Sequence, residues 1–175
     1  MKAGPLHAGF AGFTLLAASL GASVASAAEP RYRIVPIVSN DPSVVLQGSP
    51  TLNNRGQVVG TASAPGGTGN HAFLWQNGIF TDLHAIVAPD AANSGAADIN
   101  SHRTIIGTRD SGGYELQGTQ VTAVTVVPGE TTVNPVAIND RGQMIVESFG
   151  GPVNGEFFVD GDDAEHLTPL PGALD

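Results

Sequence analysis

Four histidines lie beyond residue 28 of this sequence, His71, His84, His102 and His166. Imidazole changes charge near neutral pH and is the commonest metal ligand, so these side chains are the first candidates for chemistry. No two are spaced as zinc ligands, no His-Glu-x-x-His occurs, and the chain has no cysteine. A site built on them would have to be gathered by the fold; otherwise His71 is a strand residue and His102 an exposed turn residue. Asp160-Gly161-Asp162-Asp163 sets carboxylates around a glycine, as a calcium ion would want. It lacks the spaced acidic series and closing glutamate of a calcium loop, and reads as a solvated hairpin turn. The glycine-rich run Pro65-Gly66-Gly67-Thr68-Gly69-Asn70 lacks the lysine and adjoining helix of a phosphate loop, and reads as a connection between strands. There is no Gly-x-Ser-x-Gly, and a Ser-His-Asp triad is recognised by geometry rather than composition. The sequence therefore assigns no catalytic, no cofactor-binding and no metal-ligating residue.

The elements that would position such groups are legible in a repeat. Leu52-Asn53-Asn54-Arg55-Gly56-Gln57-Val58-Val59-Gly60 recurs as Ile99-Asn100-Ser101-His102-Arg103-Thr104-Ile105-Ile106-Gly107 and as Ile138-Asn139-Asp140-Arg141-Gly142-Gln143-Met144-Ile145-Val146. In each copy an asparagine side chain can bond the turn backbone, and in the outer two a glycine stands where a left-handed residue must come after a type I turn. That combination is the three-residue hairpin with a bulge. The middle copy places Arg103 at the glycine position, at a cost of about 1–2 kcal/mol if the left-handed geometry is kept, so its turn is expected to be the one that departs.

Downstream of the first copy, His71-Ala72-Phe73-Leu74-Trp75, Asn77-Gly78 and Ile79-Phe80-Thr81-Asp82-Leu83 read as strand, turn, strand. Downstream of the third, Glu156 to Asp160, the turn Gly161-Asp162-Asp163, and Leu167-Thr168-Pro169-Leu170 read likewise. The second keeps only the β-rich remnant Val124 to Gly129. Arg31 to Val38 and Val121 to Val127 are rich in β-branched residues and are expected to be strands. Pro89 limits Leu83 to Asn93 to one short helical turn. The expectation is an all-β chain of about three repeated four-stranded antiparallel sheets, a partial or open β-propeller-like array. The repeats step by 47 and 39 residues, near the spacing of four-stranded blades. Phe73, Trp75, Phe80, Phe157 and Phe158 are the expected packing residues between sheets.

These phrases resemble the HAF family of bacterial extracellular repeats. His71-Ala72-Phe73 preserves the tripeptide with its trailing Leu74-Trp75, Gly78 and Asp82-Leu83 match the continuation, and Leu52 to Gly60 matches the phrase before it. The second and third units lack the tripeptide. The resemblance implies secretion and a propeller-like β array, and it carries over no catalytic residues.

Residues 1–28 read as a signal peptide: Lys2, an apolar stretch with Phe10, Phe13, Leu15 and Leu16, then Ala25-Ser26-Ala27 for cleavage. Residues 29–175 read as a β-repeat domain, in units of roughly 29–83, 84–130 and 131–175. The expected location is the periplasm or outside the cell, with no membrane span after cleavage. With Lys2 gone, six arginines face sixteen acidic residues, which excludes a nucleic-acid partner dependent on a basic face. The function this supports is a secreted, non-enzymatic module that binds an unknown protein or glycan at the envelope or outside the cell, with self-association through open sheets. The alternatives are a propeller-type secreted hydrolase or lyase, or an inactive truncated relative.

Overall fold

The computed structural model describes residues 32–168. The chain divides into two bodies, Met1–Ile34 and Val35–Asp175, and every strand belongs to the second. The expected signal peptide, and the last residues from 169, lie outside the described residues.

Twelve strands form three four-stranded antiparallel sheets, each a simple meander. Sheet 1 holds β1 (Leu46–Leu52), β2 (Val58–Ser63), β3 (Asn70–Gln76) and β4 (Ile79–Asp82). Sheet 2 holds β5 (Ser94–Ile99), β6 (Thr104–Arg109), β7 (Gly112–Gln117) and β8 (Gln120–Val124). Sheet 3 holds β9 (Thr132–Ile138), β10 (Met144–Phe149), β11 (Gly155–Asp160) and β12 (Asp163–His166). Between β4 and β5 runs α1 (His84–Val87), the single turn that Pro89 permits. The all-β repeated-sheet architecture expected from the sequence is the one observed.

The sheets stack because the pleat gives each strand two faces. Val59, Ala72 and Leu74 point from sheet 1 into a core completed by Ile99, Ile105, Tyr114 and Leu116 of sheet 2. Ile106, next to Ile105 in the chain, points the other way, into a second core with Ile138, Met144, Val146, Phe157 and Val159 of sheet 3. The middle sheet is therefore apolar on both faces, which explains why Ile105-Ile106 is a continuous apolar pair rather than an alternation. Tyr114 is fully buried in the first interface and donates its hydroxyl to the carbonyl oxygen of Gly95 at 3.2 Å; burial raises its pKa. Two glycines are dictated by these close approaches. A Cβ on Gly107 would fall onto the carbonyl oxygen of Gly95, and one on Gly113 would lie 3.0 Å from Pro135 and Val133 of sheet 3.

All three asparagine turns share one geometry. The carbonyls of Asn53, Asn100 and Asn139 accept from the backbone N–H of Gly56, Arg103 and Gly142, and each third turn residue is left-handed, at φ 71°, 69° and 82°. Each asparagine Oδ1 accepts two backbone N–H groups within its own turn: Arg55 and Gln57, His102 and Thr104, Arg141 and Gln143. The turns are also joined to one another. Asn53 Nδ2 donates to the carbonyl of Asn100 at 2.8 Å, and Asn100 Nδ2 to the carbonyl of Asn139 at 3.1 Å.

Several expectations are corrected. The middle turn does not depart: Arg103 takes the left-handed conformation because the bonds around Asn100 over-determine it. The middle unit is the four-stranded sheet that the repeat predicts, but the strand that completes it is not in the Val124 to Gly129 remnant: Gly112–Gln117, glycine-rich and unlike the His-Ala-Phe phrase, pairs with Thr104–Arg109 in full register. Residues 32–38 form no strand; the first strand is instead Leu46–Leu52, in a stretch without β-branched enrichment. The last strand is Asp163–His166, directly after the turn, rather than Leu167 onward. Of the five aromatics, only Phe157 lies between sheets; Phe73, Trp75 and Phe80 sit on the face of sheet 1 turned away from sheet 2, and Phe158 on the face of sheet 3 turned away from sheet 2.

Arg103→Gly should stabilise the protein by about 1 kcal/mol, the left-handed strain being partly offset by the greater freedom of glycine in the unfolded chain. Urea unfolding of the two proteins measures this; no gain would mean that Arg103 is not strained.

Candidate functional site

The titratable side chains converge at one place, where strands β3 and β4 meet the link to sheet 2. His71 Nδ1 lies 2.7 Å from Asp82 Oδ2, and since an ionised carboxylate only accepts, that nitrogen carries the proton. The His71 and His84 rings stack in parallel with centroids 3.9 Å apart. His84 Nδ1 in turn lies 2.8 Å from Ser94 Oγ, which accepts the backbone N–H of Ala72. Asp82 Oδ1 accepts the N–H of His84, the first residue of α1. The cluster thus joins β3, β4, α1 and β5 in one chain of contacts, and it fixes the first sheet to the second. Ser94 is buried at 3% exposure and its Oγ accepts the N–H of Ala72, so although His84 Nδ1 reaches it the hydroxyl is closed to a substrate.

Beside His71 and Asp82 opens a cleft of about 190 Å³ between sheet 1 and the segment that precedes it. Phe73, Phe80 and Ala62 form its floor, and Val44 and Asp41 its opposite wall. Phe73 and Phe80 stack with centroids 4.8 Å apart. Asp41 accepts from the hydroxyl and the backbone N–H of Ser43, and these bonds hold its carboxyl below its ordinary pKa of 3.8. Farther along the same face, the indole N–H of Trp75 is buried with no partner among the described residues.

The remaining candidates stay apart. His102 is exposed on the middle turn, and His166 packs its ring 5.0 Å from Phe157 at the end of β12. In the Asp160–Asp163 turn, Asp160 accepts from Gln143 Nε2 at 2.9 Å, and the other carboxylates are exposed. Among the described residues, no three His, Asp or Glu side chains are placed to share a metal ion, and no helix is long and apolar enough to cross a membrane. The Gly-rich segment after Ala64 is a loop linking β2 to β3. Sequence reasoning missed Asp82 and Ser94 as partners of the histidines. Asp82 had a signal, in the pairing of the His-Ala-Phe and Asp-Leu phrases eleven residues apart, whereas Ser94 had none.

The turn end of the molecule carries the second concentration of polar groups. Asp140 accepts the backbone N–H of Ser101 at 2.7 Å, across from the third turn to the second. That bond, the Ser101 hydroxyl and the positive fields of His102 and Arg55 hold the Asp140 carboxyl below its ordinary value of 3.8. Comparison with protein families, curated proteins and solved structures gives no match for this chain.

A carboxyl with a depressed folded-state pKa stabilises the fold above its unfolded value, and that contribution is lost as pH falls through the folded pKa. Asp140→Ala should therefore melt below the parent at neutral pH, and the difference should close as pH drops beneath the ordinary carboxylate range. Melting temperatures recorded against pH for both proteins check this; a difference that persists in acid would assign the effect to something other than the carboxylate.

Proposed function

We propose that the chain is a secreted, non-enzymatic repeat module of the HAF type that works by binding, at the cell envelope or outside the cell. One observation carries this reading: apolar positions buried between sheets elsewhere in the array lie open at its ends. Leu52 is 71% exposed, while its counterparts Ile99 and Ile138 are 3% and 8% exposed. Large uncovered apolar surface on a folded protein marks a place of contact. Part of the histidine cluster supports the same reading, because His84 Nδ1 and the Ala72 N–H both meet Ser94 Oγ and so tie the first sheet to the second.

The rival reading, a secreted hydrolase, draws on one feature. His71 is oriented through Nδ1 by a carboxylate at the rim of a cleft, the arrangement that leaves the other ring nitrogen to act as a base.

Fractionation of the producing cell should find the protein outside the cytoplasm with its leader removed, and the purified chain should sediment with envelope fragments. Leu52→Asp should stay in the supernatant, and His71→Gln should sediment like the parent. Equal sedimentation of parent and Leu52→Asp would overturn the assignment of the contact face. Turnover of ester or glycoside substrates that is lost in His71→Gln would replace binding with catalysis.

A further inference from the structure

Each internal interface obeys one rule, read from the cross-strand rows nearest the asparagine turn. In the first two units the residue six after the asparagine faces the next sheet: Val59 in the first interface and Ile106 in the second, both fully buried. The residue five after it faces the preceding sheet: Ile105 in the first interface and Met144 in the second. The two rows left over are complementary by the same rule. On the last sheet, Ala137, Ile145 and Phe158 are in register across β9, β10 and β11 and face the place of a next sheet. On the first, Leu52, Val58 and Trp75 are in register across β1, β2 and β3 and face the place of a preceding one.

The hydrogen bonds that join the turns are open at the same two ends. Asn53 and Asn100 each donate an Nδ2 proton forward to the carbonyl of the next asparagine. Asn139 Nδ2 donates only to Gln143 Oε1 among the described residues, so one of its two protons is unused. The carbonyl of Asn53 accepts only from the N–H of Gly56 there, while those of Asn100 and Asn139 accept a second bond from the preceding asparagine. A spare donor at one end therefore matches a spare acceptor at the other, in the direction that the apolar rows require. The carboxylates of the open sheet 3 face do not oppose this. Glu147 is bound by Asn134 Nδ2 at 2.8 Å and Asp160 by Gln143 Nε2 at 2.9 Å, while exposed Glu156 lies across from Glu147, and Asp163 and Glu165 lie on the outermost strand; the second interface likewise accommodates Asp98 and Glu115, in register with Ile106.

We infer that the partner for these faces is a second copy of this chain, joined head to tail so that Ile145 and Asn139 of each copy meet Leu52 and Asn53 of the other. This rests on the reading of the chain as a binding module: the Leu52 face meets a second copy first, and attachment to envelope fragments is a property of the assembled pair, lost in Leu52→Asp because the pair does not form. Two chains of three sheets supply six, within the four to eight blades with which propellers close, so the contact closes on itself as a two-chain ring.

Sedimentation of the full chain over a wide concentration range should give a discrete dimer. Leu52→Asp and Ile145→Asp should each sediment as a single chain, and an equimolar mixture of the two should recover dimer, because one of its two contacts is intact. If Ile145→Asp fails to fold, Ala137→Arg places the obstruction at an exposed position on the same face. A wild-type chain that stays single overturns the inference, and so does loss of dimer in only one of the two variants, which would mean a like-with-like contact. Longer oligomers overturn the closed ring. A full chain that stays single while one ended after Thr168 dimerises hands the face to residues 169–175. A dimer that ignores envelope fragments would defeat only the functional reading, and a single chain that binds them would defeat only this one.

Discussion

The molecule depends on an asparagine amide repeated at a fixed place, and buried in the first two units. Each asparagine side chain closes its own hairpin through Oδ1, and in the first two units Nδ2 reaches the carbonyl of the next turn. A carboxamide is suited to this because it accepts and donates at once from one rigid plane. Aspartate could pin the turn but not donate onward, and serine could not span both tasks. Asn53 and Asn100 are both buried, where an unmet amide would cost far more than in water, so the ladder is held in register by the penalty for breaking it. A chain with no cysteine, reduced to single sheets that cannot cover their own faces, gains its alignment from this line of bonds.

With the turns aligned, the pleat decides the rest. Alternate residues of each strand reach the sheet before and the sheet after, and the cross-strand rows meet in the same order at both interfaces. Close packing then sets the glycines: Gly107 and Gly113 stand where another backbone or a proline ring leaves no room for a Cβ. Outside the rows, short polar links hold the connections between sheets. Ser94 and the two stacked histidines do this between the first and second sheets. Glu130 does it between the second and third, accepting the N–H groups of Val126 and Val127 and the hydroxyl of Ser148.

What could be read from the sequence was the turn, because its chemistry is local. Asn-x-x-Gly fixes a hairpin within four residues, and Asn77-Gly78 fixes another, both with left-handed residues where expected. What could not be read was anything set by a neighbour across a sheet. Gly112–Gln117 carries little strand propensity and is a strand because β6 and β8 flank it. Residues 32–38 carry high propensity but no strand pairs with them. The aromatics were misplaced for a related reason: Phe73 and Trp75 alternate with Leu74, and the sequence alone does not say which of the two faces meets the next sheet. The histidine cluster was visible only as separate residues, since His84 and Ser94 meet through a helical turn and a strand ten residues apart.

The ladder is tested most directly by removing its middle member and its last member in turn. Asn100→Ala deletes bonds to His102, Thr104 and Asn139 from a side chain that is 5% exposed. With both changes made in the Leu52→Asp background, which keeps each chain single, Asn139→Ala deletes only bonds within its own exposed turn. Chemical unfolding should show Asn100→Ala destabilised by about 3 kcal/mol and Asn139→Ala by about 1 kcal/mol, the buried member being the costlier to lose. Equal losses in the two would show that the turns stand independently and that no ladder holds the sheets in register.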